Sequence, residues 1–221
     1  MSTIPLSAAL LAIVAGTTSV VIPESLRLPA HVGQLADPRS DRTLSSEGEW
    51  PSLERGEVVT DEAADPANRS DARVVRAAVL ISRSAEQVWG VLADFERRPE
   101  FLAGVDSIHV VRVDGNRVWV DQTVKALFLK LHYQVINTLE PEEGRIRWSL
   151  DTTVAHDIAD SQGTWRVIPV DKDQRTLLLY QARVESGKPV PAFLETYMVK
   201  HSLPGLMEGF RREVERRVRA R

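Results

Sequence analysis

The chain has 221 residues, of which 43% are hydrophobic, so it is long enough to bury at least one sizeable core. Its net charge is −3 and it has no cysteine, which excludes disulfides, thiolate metal ligands and cysteine nucleophiles. Residues 1–72 carry 11 acidic and 5 basic side chains, and residues 73–221 carry 20 and 23, giving −6 and +3. The second part therefore lacks the concentrated positive charge of a nucleic-acid-binding protein.

The first 22 residues contain no charged side chain, and residues 8–16 form an apolar run that is followed by small residues. This order is typical of a secretory signal. However, no lysine or arginine precedes the run, and Pro5 interrupts its start. The segment is also close to the roughly 20 residues that a membrane span needs. Three predictions stay open for residues 1–22: an export signal, an uncleaved membrane anchor, or the tail of a cytoplasmic protein.

The next segment, residues 23–70, has five prolines and one aromatic residue, Trp50, and its acidic side chains outnumber its basic ones. A segment of this composition buries too little apolar surface to offset the entropy that it loses on ordering. We therefore predict a disordered acidic linker over residues 23–70. The folded domain is predicted over residues 74–221, a usual size for a single domain.

This domain is predicted to begin with a strand and two helices. Residues 74–82 are mostly β-branched or apolar, which favours a strand. Ser84, followed three residues later by Gln87, forms a helix-capping pattern, and apolar residues then recur at helical spacing as far as Phe95. Pro99 fits the first position of a second, short helix.

Six further segments are predicted to be strands, because most of them alternate apolar and polar residues and all are bounded by turn sequences such as Asp114-Gly115-Asn116. They are residues 105–113, 117–126, 129–139, 145–152, 163–170 and 176–185. After them, residues 191–219 show the apolar spacing of a long helix, in which Pro204 predicts a break or kink.

This order of elements predicts an α+β fold. A curved antiparallel sheet of about seven strands would wrap around the long C-terminal helix, which is the helix-grip arrangement. Where the side chains of the sheet and the helix do not meet, such a fold leaves an apolar cavity between them.

Several segments of the domain carry packing and turn motifs. They are Ala85-Glu-Gln-Val-Trp89 with Asp94-Phe95 and Pro99-Glu-Phe-Leu102, Gly163-Thr-Trp-Arg-Val-Ile-Pro169, and Val190-Pro-Ala-Phe193 with Leu203-Pro-Gly-Leu-Met207 and Phe210-Arg211. These segments resemble the START-like (SRPBCC) superfamily of polyketide cyclases/dehydrases, coenzyme Q-binding proteins and lipid-transfer domains. The resemblance implies a hydrophobic pocket for a lipid, quinone or polyketide. Its motifs indicate the fold rather than the chemistry, since members include both carriers and cyclases.

Aromatic side chains on one side of the strands and on the helices would line this pocket. The residues expected to contact the ligand are Phe101, Tyr133, Trp148, Trp165, Tyr180, Phe193, Tyr197 and Leu206. Arg166 and Arg183 are considered for binding a ligand carboxylate, but the alternation of their strands favours the solvent face.

Histidine is the first residue type to consider for catalysis, and the chain has five. None has the HExxH or HxH spacing of a metal site, so we predict neither a metal nor another cofactor. His201 lies one turn after Tyr197 on the predicted last helix, which makes this pair the candidate for proton transfer. His156 beside Asp157 is better explained as part of an exposed loop.

The leading hypothesis is a protein that binds or carries a small hydrophobic molecule, because the sequence contains no convergent catalytic set. The alternative is a polyketide cyclase or aromatase enzyme that acts in the same cavity. The expected partner is the small hydrophobic ligand, with transient contact to a membrane and no nucleic acid. The ligand's identity and the oligomeric state are left open.

Overall fold

The computed structural model describes residues 23–29, 32, 49–64, 73–126, 129–185 and 201–219. Its strands are β1 (Val59–Ala64), β2 (Arg73–Ile81), β3 (Val105–Asp114), β4 (Arg117–Ala126), β5 (Leu129–Glu140), β6 (Arg145–Leu150), β7 (Asp160–Val170) and β8 (Arg175–Glu185). Its α-helices are α1 (Trp50–Glu54), α2 (Ala85–Leu92) and α3 (Leu203–Arg219). The strands form one antiparallel sheet in the order β1-β2-β8-β7-β6-β5-β4-β3. With β1 and β3 as free edges, the curved sheet does not close into a barrel.

The predicted helix-grip fold is confirmed, and β2 to β8 are the seven strands that the sequence predicts. Antiparallel pairing places residues that lie opposite one another on the same face of the sheet. Ala77, Tyr180, Trp165 and Ile146 form one such row across β2, β8, β7 and β6. We call the face that carries this row the inner face, because its side chains share a core with α2 and α3. The opposite side is the outer face.

Helix α2 begins where the sequence predicts. The Ser84 hydroxyl accepts a hydrogen bond from the Gln87 amide at 3.4 Å, and the Gln87 side-chain oxygen accepts one from the Ser84 amide at 3.2 Å. This reciprocal pair satisfies two amides that the helix itself leaves without partners. The second predicted helix is a single 3-10 turn, Arg98–Glu100, with Pro99 near its start.

Helix α3 covers the inner face and buries Met207, Phe210 and Val214. The predicted break at Pro204 falls where the described helix changes geometry, since His201 and Ser202 are π-helical and α3 begins at Leu203. Proline has no amide proton for an intrahelical hydrogen bond, and prolines and π-bulges are the usual places where a helix kinks. The first part of the predicted helix, residues 191–200, lies outside the described residues.

The structure differs from the predicted linker over residues 23–70, because the described part of that range packs on the domain. Leu26 is 5% exposed and Val32 is 2% exposed, and both belong to the core that includes α2 and α3. The Trp89 indole donates a hydrogen bond to the Leu26 carbonyl oxygen at 2.9 Å. The average composition of the segment is polar, but these few apolar residues are buried because they pack against the domain.

Helix α1 and strand β1 both precede residue 74 in the chain. They lie at the edge of the sheet next to β2. Strand β1 pairs with β2 and adds the eighth strand. Leu53 of α1 is fully buried in a second hydrophobic cluster. The other buried members of this outer-face cluster are Ala78, Leu80, Ile168, Val170, Leu177 and Leu179. Arg211 of α3 donates to the Gly56 carbonyl oxygen at 2.6 Å, so the turn after α1 also contacts the last helix.

No helix in the described ranges has both the length and the apolar character that a membrane crossing requires. Residues 1–22, for which an export signal, an anchor and a cytoplasmic tail are all open predictions, lie outside those ranges.

A buried carboxylate, Glu213, holds the end of α3 against the segment after α2. Glu213 is 4% exposed and accepts hydrogen bonds at 2.7 Å from both Arg216 and Arg217. Arg217 also pairs with Asp94 at 2.8 Å. The hydrogen bonds from Arg216 and then Arg217 outweigh the effect of burial and lower the pKa of Glu213 to about 2.

We expect the protein to lose stability as the pH falls from about 4.5 to about 2. The folded state lowers the pKa of Glu213, so the stabilisation is fully present above the unfolded-state pKa and is lost as the carboxylate is protonated. Urea unfolding between about pH 6 and pH 3 measures this loss. The loss should be smaller in Glu213→Gln and unchanged in Glu86→Gln, an exposed position of α2. An equal loss in Glu213→Gln and the wild type would contradict the assignment.

Candidate ligand-binding site

Three aromatic side chains of the inner face lie together on β6, β7 and β8. The Trp165 and Tyr180 ring centroids are 4.5 Å apart, and Trp148 stacks on Tyr180 at 5.4 Å with an interplanar angle of 20°. Gly163 lies opposite Trp148 in the register, and any Cβ there would overlap the Trp148 ring. The aromatic surface therefore depends on a glycine in the neighbouring strand.

Aromatic residues from α3 and from the segment before β3 face this surface. Phe210 is 1% exposed and lies edge-on to Trp165 at 5.0 Å and to Phe101 at 5.4 Å. Edge-to-face contacts of this kind are the geometry that aromatic rings favour. Leu206, one turn before Phe210, is half-buried against the same core.

Tyr133 of β5 completes the set of predicted contact residues that the structure brings together. Burial raises its pKa to about 12, against a smaller opposing effect from a hydrogen bond with Gln122. Burial likewise raises the pKa of Tyr180. Both tyrosines are only half-buried, although burial dominates their ionisation. Part of each tyrosine side chain is therefore not covered by the rest of the protein. We call these six residues the aromatic wall: Phe101, Tyr133, Trp148, Trp165, Tyr180 and Phe210.

One polar residue of this interior, Arg98, is absent from the residues that the sequence predicts for the site. Its guanidinium carbon lies 4.4 Å from the centroid of the Phe95 ring and 5.5 Å from that of Phe210. Its Nη2 donates to the Leu92 carbonyl oxygen at 2.7 Å. Burial lowers the pKa of Arg98 to about 10, so the side chain still carries its positive charge at neutral pH.

Only one member of the predicted proton-transfer pair, His201, lies within the described residues. His201 is exposed, and Tyr197 lies outside the described residues, as does the predicted contact residue Phe193. His156 is on an exposed loop, where its Nδ1 is 2.7 Å from the Ile158 carbonyl oxygen, in line with the loop interpretation. In the ranges that the structure describes, no group of three or more histidine, aspartate or glutamate side chains could hold a metal ion.

The two arginines considered for carboxylate binding lie on the outer face. Arg166 is in register with Arg145 and Leu179, one residue away from the inner-face row. Arg183 pairs with Asp160 and, at 3.3 Å, with Glu185. Neither reaches the aromatic wall, as the alternation of β7 and β8 predicts.

A depression of about 520 Å³ is lined mostly by outer-face residues of β5 to β8 and β2, and it is also bordered by Trp148, Gly163 and Ala182 of the inner-face rows. Its lining includes Thr164 and Gln181, and its Arg147 is paired with Glu140. An apolar ligand in this depression would cover polar groups without replacing their contacts with water. The inner face, with its aromatic wall and its few polar groups, is therefore the candidate site for an apolar ligand.

Solved structures with a similar fold include lipid-transfer and cyclase proteins. The STAR-related lipid transfer protein from Xanthomonas axonopodis matches with a TM-score of 0.62 and 15% identity, over 72% of this chain and 93% of that chain. The Zhui aromatase/cyclase from Streptomyces sp. R1128 matches with a TM-score of 0.58 and 21% identity, over 67% and 97%. A protein from Thermus thermophilus matches with a TM-score of 0.58 and 22% identity, over 65% and 98%. At these identities the likeness shows the START-type fold alone.

A search of curated proteins gave no match. The family model described as "Polyketide cyclase / dehydrase and lipid transport" matches residues 72–219. This range is more than half of the chain and contains β2 to β8, α2 and α3. The chain therefore belongs to the polyketide cyclase/dehydrase and lipid transport family, within the START-like (SRPBCC) superfamily.

Proposed function

We propose that this protein binds and carries a small hydrophobic molecule between the inner face of the sheet and helix α3. The observation that carries the proposal is the aromatic wall, whose members Tyr133, Trp148 and Tyr180 are half-buried in the interior. Aromatic rings that are packed against a core but only partly buried can gain contacts from an apolar ligand. The lipid transport in the family's description and the structural likeness to a lipid transfer protein support the same function.

The ionisation of the described inner face favours a carrier over a cyclase. Cyclisation by carbon–carbon bond formation requires a base that removes a proton from the substrate, and a base works best with a pKa near the working pH. The ionisable groups that we place at the aromatic wall are Arg98, Tyr133 and Tyr180. Arg98 has a pKa of about 10, and burial raises the pKa of both tyrosines above their usual value. All three therefore donate hydrogen bonds at neutral pH and cannot accept a proton.

The expected result is that apolar ligands raise the melting temperature of the purified chain. At a ligand concentration about 100 times Kd, binding adds about 2.7 kcal/mol to the free energy of unfolding, which corresponds to roughly 5–10 °C. Hexadecanoate, hexadecanamide, a short-chain ubiquinone and 2-naphthol cover the lipid, quinone and polyketide-like classes. Native mass spectrometry of the protein as purified tests for a ligand retained from the cell. If no ligand is retained and no compound shifts the melting temperature, the proposal is wrong.

A matched pair of leucine substitutions locates the binding site. Leu206→Trp adds a large ring beside the aromatic wall, so it should abolish the ligand-induced shift. Leu129→Trp makes the same change at an exposed position of β5 and should keep the shift. Loss of the shift in both variants, or in neither, would place the ligand elsewhere. Ligand transfer between donor and acceptor vesicles then tests the proposed transient contact with a membrane.

A further inference from the structure

Arg98 is half-buried, its Nε is fully buried, and its guanidinium lacks part of its usual set of partners. Nη2 donates to the Leu92 carbonyl oxygen, but no acceptor among the described residues satisfies the buried Nε. The nearby carboxylate of Asp94 favours the Arg98 cation, yet it forms its ion pair with Arg217, at 2.8 Å. A buried cation without a carboxylate or a full set of acceptors destabilises a folded protein, so its presence calls for an explanation.

The two aromatic rings next to Arg98 explain only part of its stability. Phe95 and Phe210 lie 4.4 Å and 5.5 Å from the guanidinium carbon, within the range of cation–π attraction. A ring face attracts the positive charge, but it does not replace the oxygen atoms that the N–H groups of a guanidinium bind best. The contacts therefore hold Arg98 in the interior while leaving it able to bind an oxygen anion.

The position of Arg98 connects it to the aromatic wall. Phe210, one of its two ring partners, also contacts Trp165 and Phe101. The charge of Arg98 is close enough to Tyr180 to oppose the rise that burial causes in the pKa of Tyr180. A ligand that covers Trp165 and Tyr180 therefore lies beside the only cation that the described part of the chain contributes to this wall.

We infer that the ligand is an apolar acid, whose carboxylate or similarly acidic oxygen binds Arg98 while its rings or chain lie against Trp148, Trp165 and Tyr180. This inference rests on the proposed function and narrows its ligand class. A neutral lipid or quinone would gain the same apolar contacts but would leave the buried charge uncompensated. An acid supplies the missing counter-charge and can accept two parallel hydrogen bonds from the guanidinium.

Two matched pairs of probes test the charge at constant shape: 2-naphthoate with 2-naphthamide, and hexadecanoate with hexadecanamide. Their Kd values are measured by quenching of tryptophan fluorescence. The wild type should bind the acid of a pair about tenfold or more tightly than the amide, because a hydrogen-bonded ion pair replaces a neutral contact. In Arg98→Met, the acid should lose about that factor in affinity while the amide keeps its Kd. Arg98→Lys should retain part of the preference, because it keeps the charge but loses the planar fork.

The control variant is Arg97→Met, which changes the neighbouring arginine, paired with Glu100 at 2.9 Å on the protein surface. It should leave the preference for the acid unchanged. The melting temperature of the ligand-free protein distinguishes a role of Arg98 in ligand binding from a role in folding. If Arg98 serves only to stabilise the fold, Arg98→Met will melt at a lower temperature than the wild type. If it serves the ligand, the ligand-free variant will melt at the same or a higher temperature.

The outcomes separate this inference from the proposed function. Equal affinity of the wild type for acid and amide would overturn the inference and leave the proposed function standing. The inference is likewise overturned, and the proposed function kept, if all four probes fail to bind while the ubiquinone or 2-naphthol does bind. If no apolar compound binds and none is retained on purification, the proposed function and the inference both fail.

Discussion

Replacing Gly163 by alanine is expected to lower the free energy of unfolding by about 3 kcal/mol, or roughly 6–12 °C in melting temperature. An added Cβ would overlap both the ring of Trp148 and the carbonyl oxygen of Gln181. The first contact belongs to the aromatic wall, and the second belongs to the backbone of the neighbouring strand β8. The Gln181 carbonyl cannot move without disturbing the sheet, because the backbone of β8 is held by hydrogen bonds to β7 and β2. The Trp148 ring cannot move without losing its stacking on Tyr180. Urea unfolding measures the change.

Gly90→Ala is the matched control for this substitution. Gly90 is exposed in α2, and a Cβ there would meet no atom within 4 Å. Alanine in a helix is favoured over glycine by about 0.5–1 kcal/mol, so this variant should be more stable than the wild type. The same glycine-to-alanine change is thus expected to lower the free energy of unfolding at position 163 and to raise it at position 90. Ligand affinity should fall only in Gly163→Ala, since only that change displaces Trp148. A stable Gly163→Ala with wild-type affinity would contradict the described packing.

The sheet and the start of α2 could be predicted from the sequence because local patterns determine them. Alternation of apolar and polar residues marks β4 and β5, and Ser84 with Gln87 marks the helix start. The strand residues of the aromatic wall followed from the same alternation, because Trp165 and Tyr180 each lie on the apolar side of their strands. Phe210, which lies on α3, was not among the predicted contact residues. A residue on a strand has its face fixed by the strand's register.

Arg98 could not be found in this way. It lies within Glu96-Arg-Arg-Pro-Glu100, a charged run that is typical of an exposed turn. The 3-10 turn that forms there directs its side chains in different directions. Arg97 pairs with Glu100 on the surface, whereas Arg98 lies over Phe95 in the interior. No periodicity in so short a segment shows which arginine is buried, and only the tertiary contacts decide.

Strand β1 could not be predicted from the sequence for a different reason. Strand β1 contains Thr60, Asp61 and Glu62, a polar sequence with no strand-like alternation. An edge strand needs little apolar surface of its own when it forms backbone hydrogen bonds to a strand that is already in place. Strand β1 therefore forms because β2 is already part of the folded sheet. The local composition of residues 59–64 gives no sign of this partner.

Leu53→Ala is expected to lower the free energy of unfolding by about 2–5 kcal/mol, although Leu53 lies within the range predicted as a linker. The side chain is fully buried in the outer-face cluster that includes Leu177 and Leu179. Truncation removes this burial and leaves a cavity between α1 and the sheet. Chemical denaturation and differential scanning fluorimetry both measure the loss. If the m-value is the same as in the wild type, the substitution has changed the stability and not the surface exposed on unfolding.

Leu129→Ala is the control, because it removes the same atoms from a leucine that is 36% exposed. It should change the free energy of unfolding by no more than about 0.5 kcal/mol. If α1 were only a loosely attached part of a linker, Leu53→Ala would have an equally small effect. The difference between the two variants thus measures how much the N-terminal part contributes to the fold. A large difference makes residues 49–64 part of the folded unit. Because Leu53 packs on the outer face, its loss should reduce stability without changing the preference of the inner face for acids.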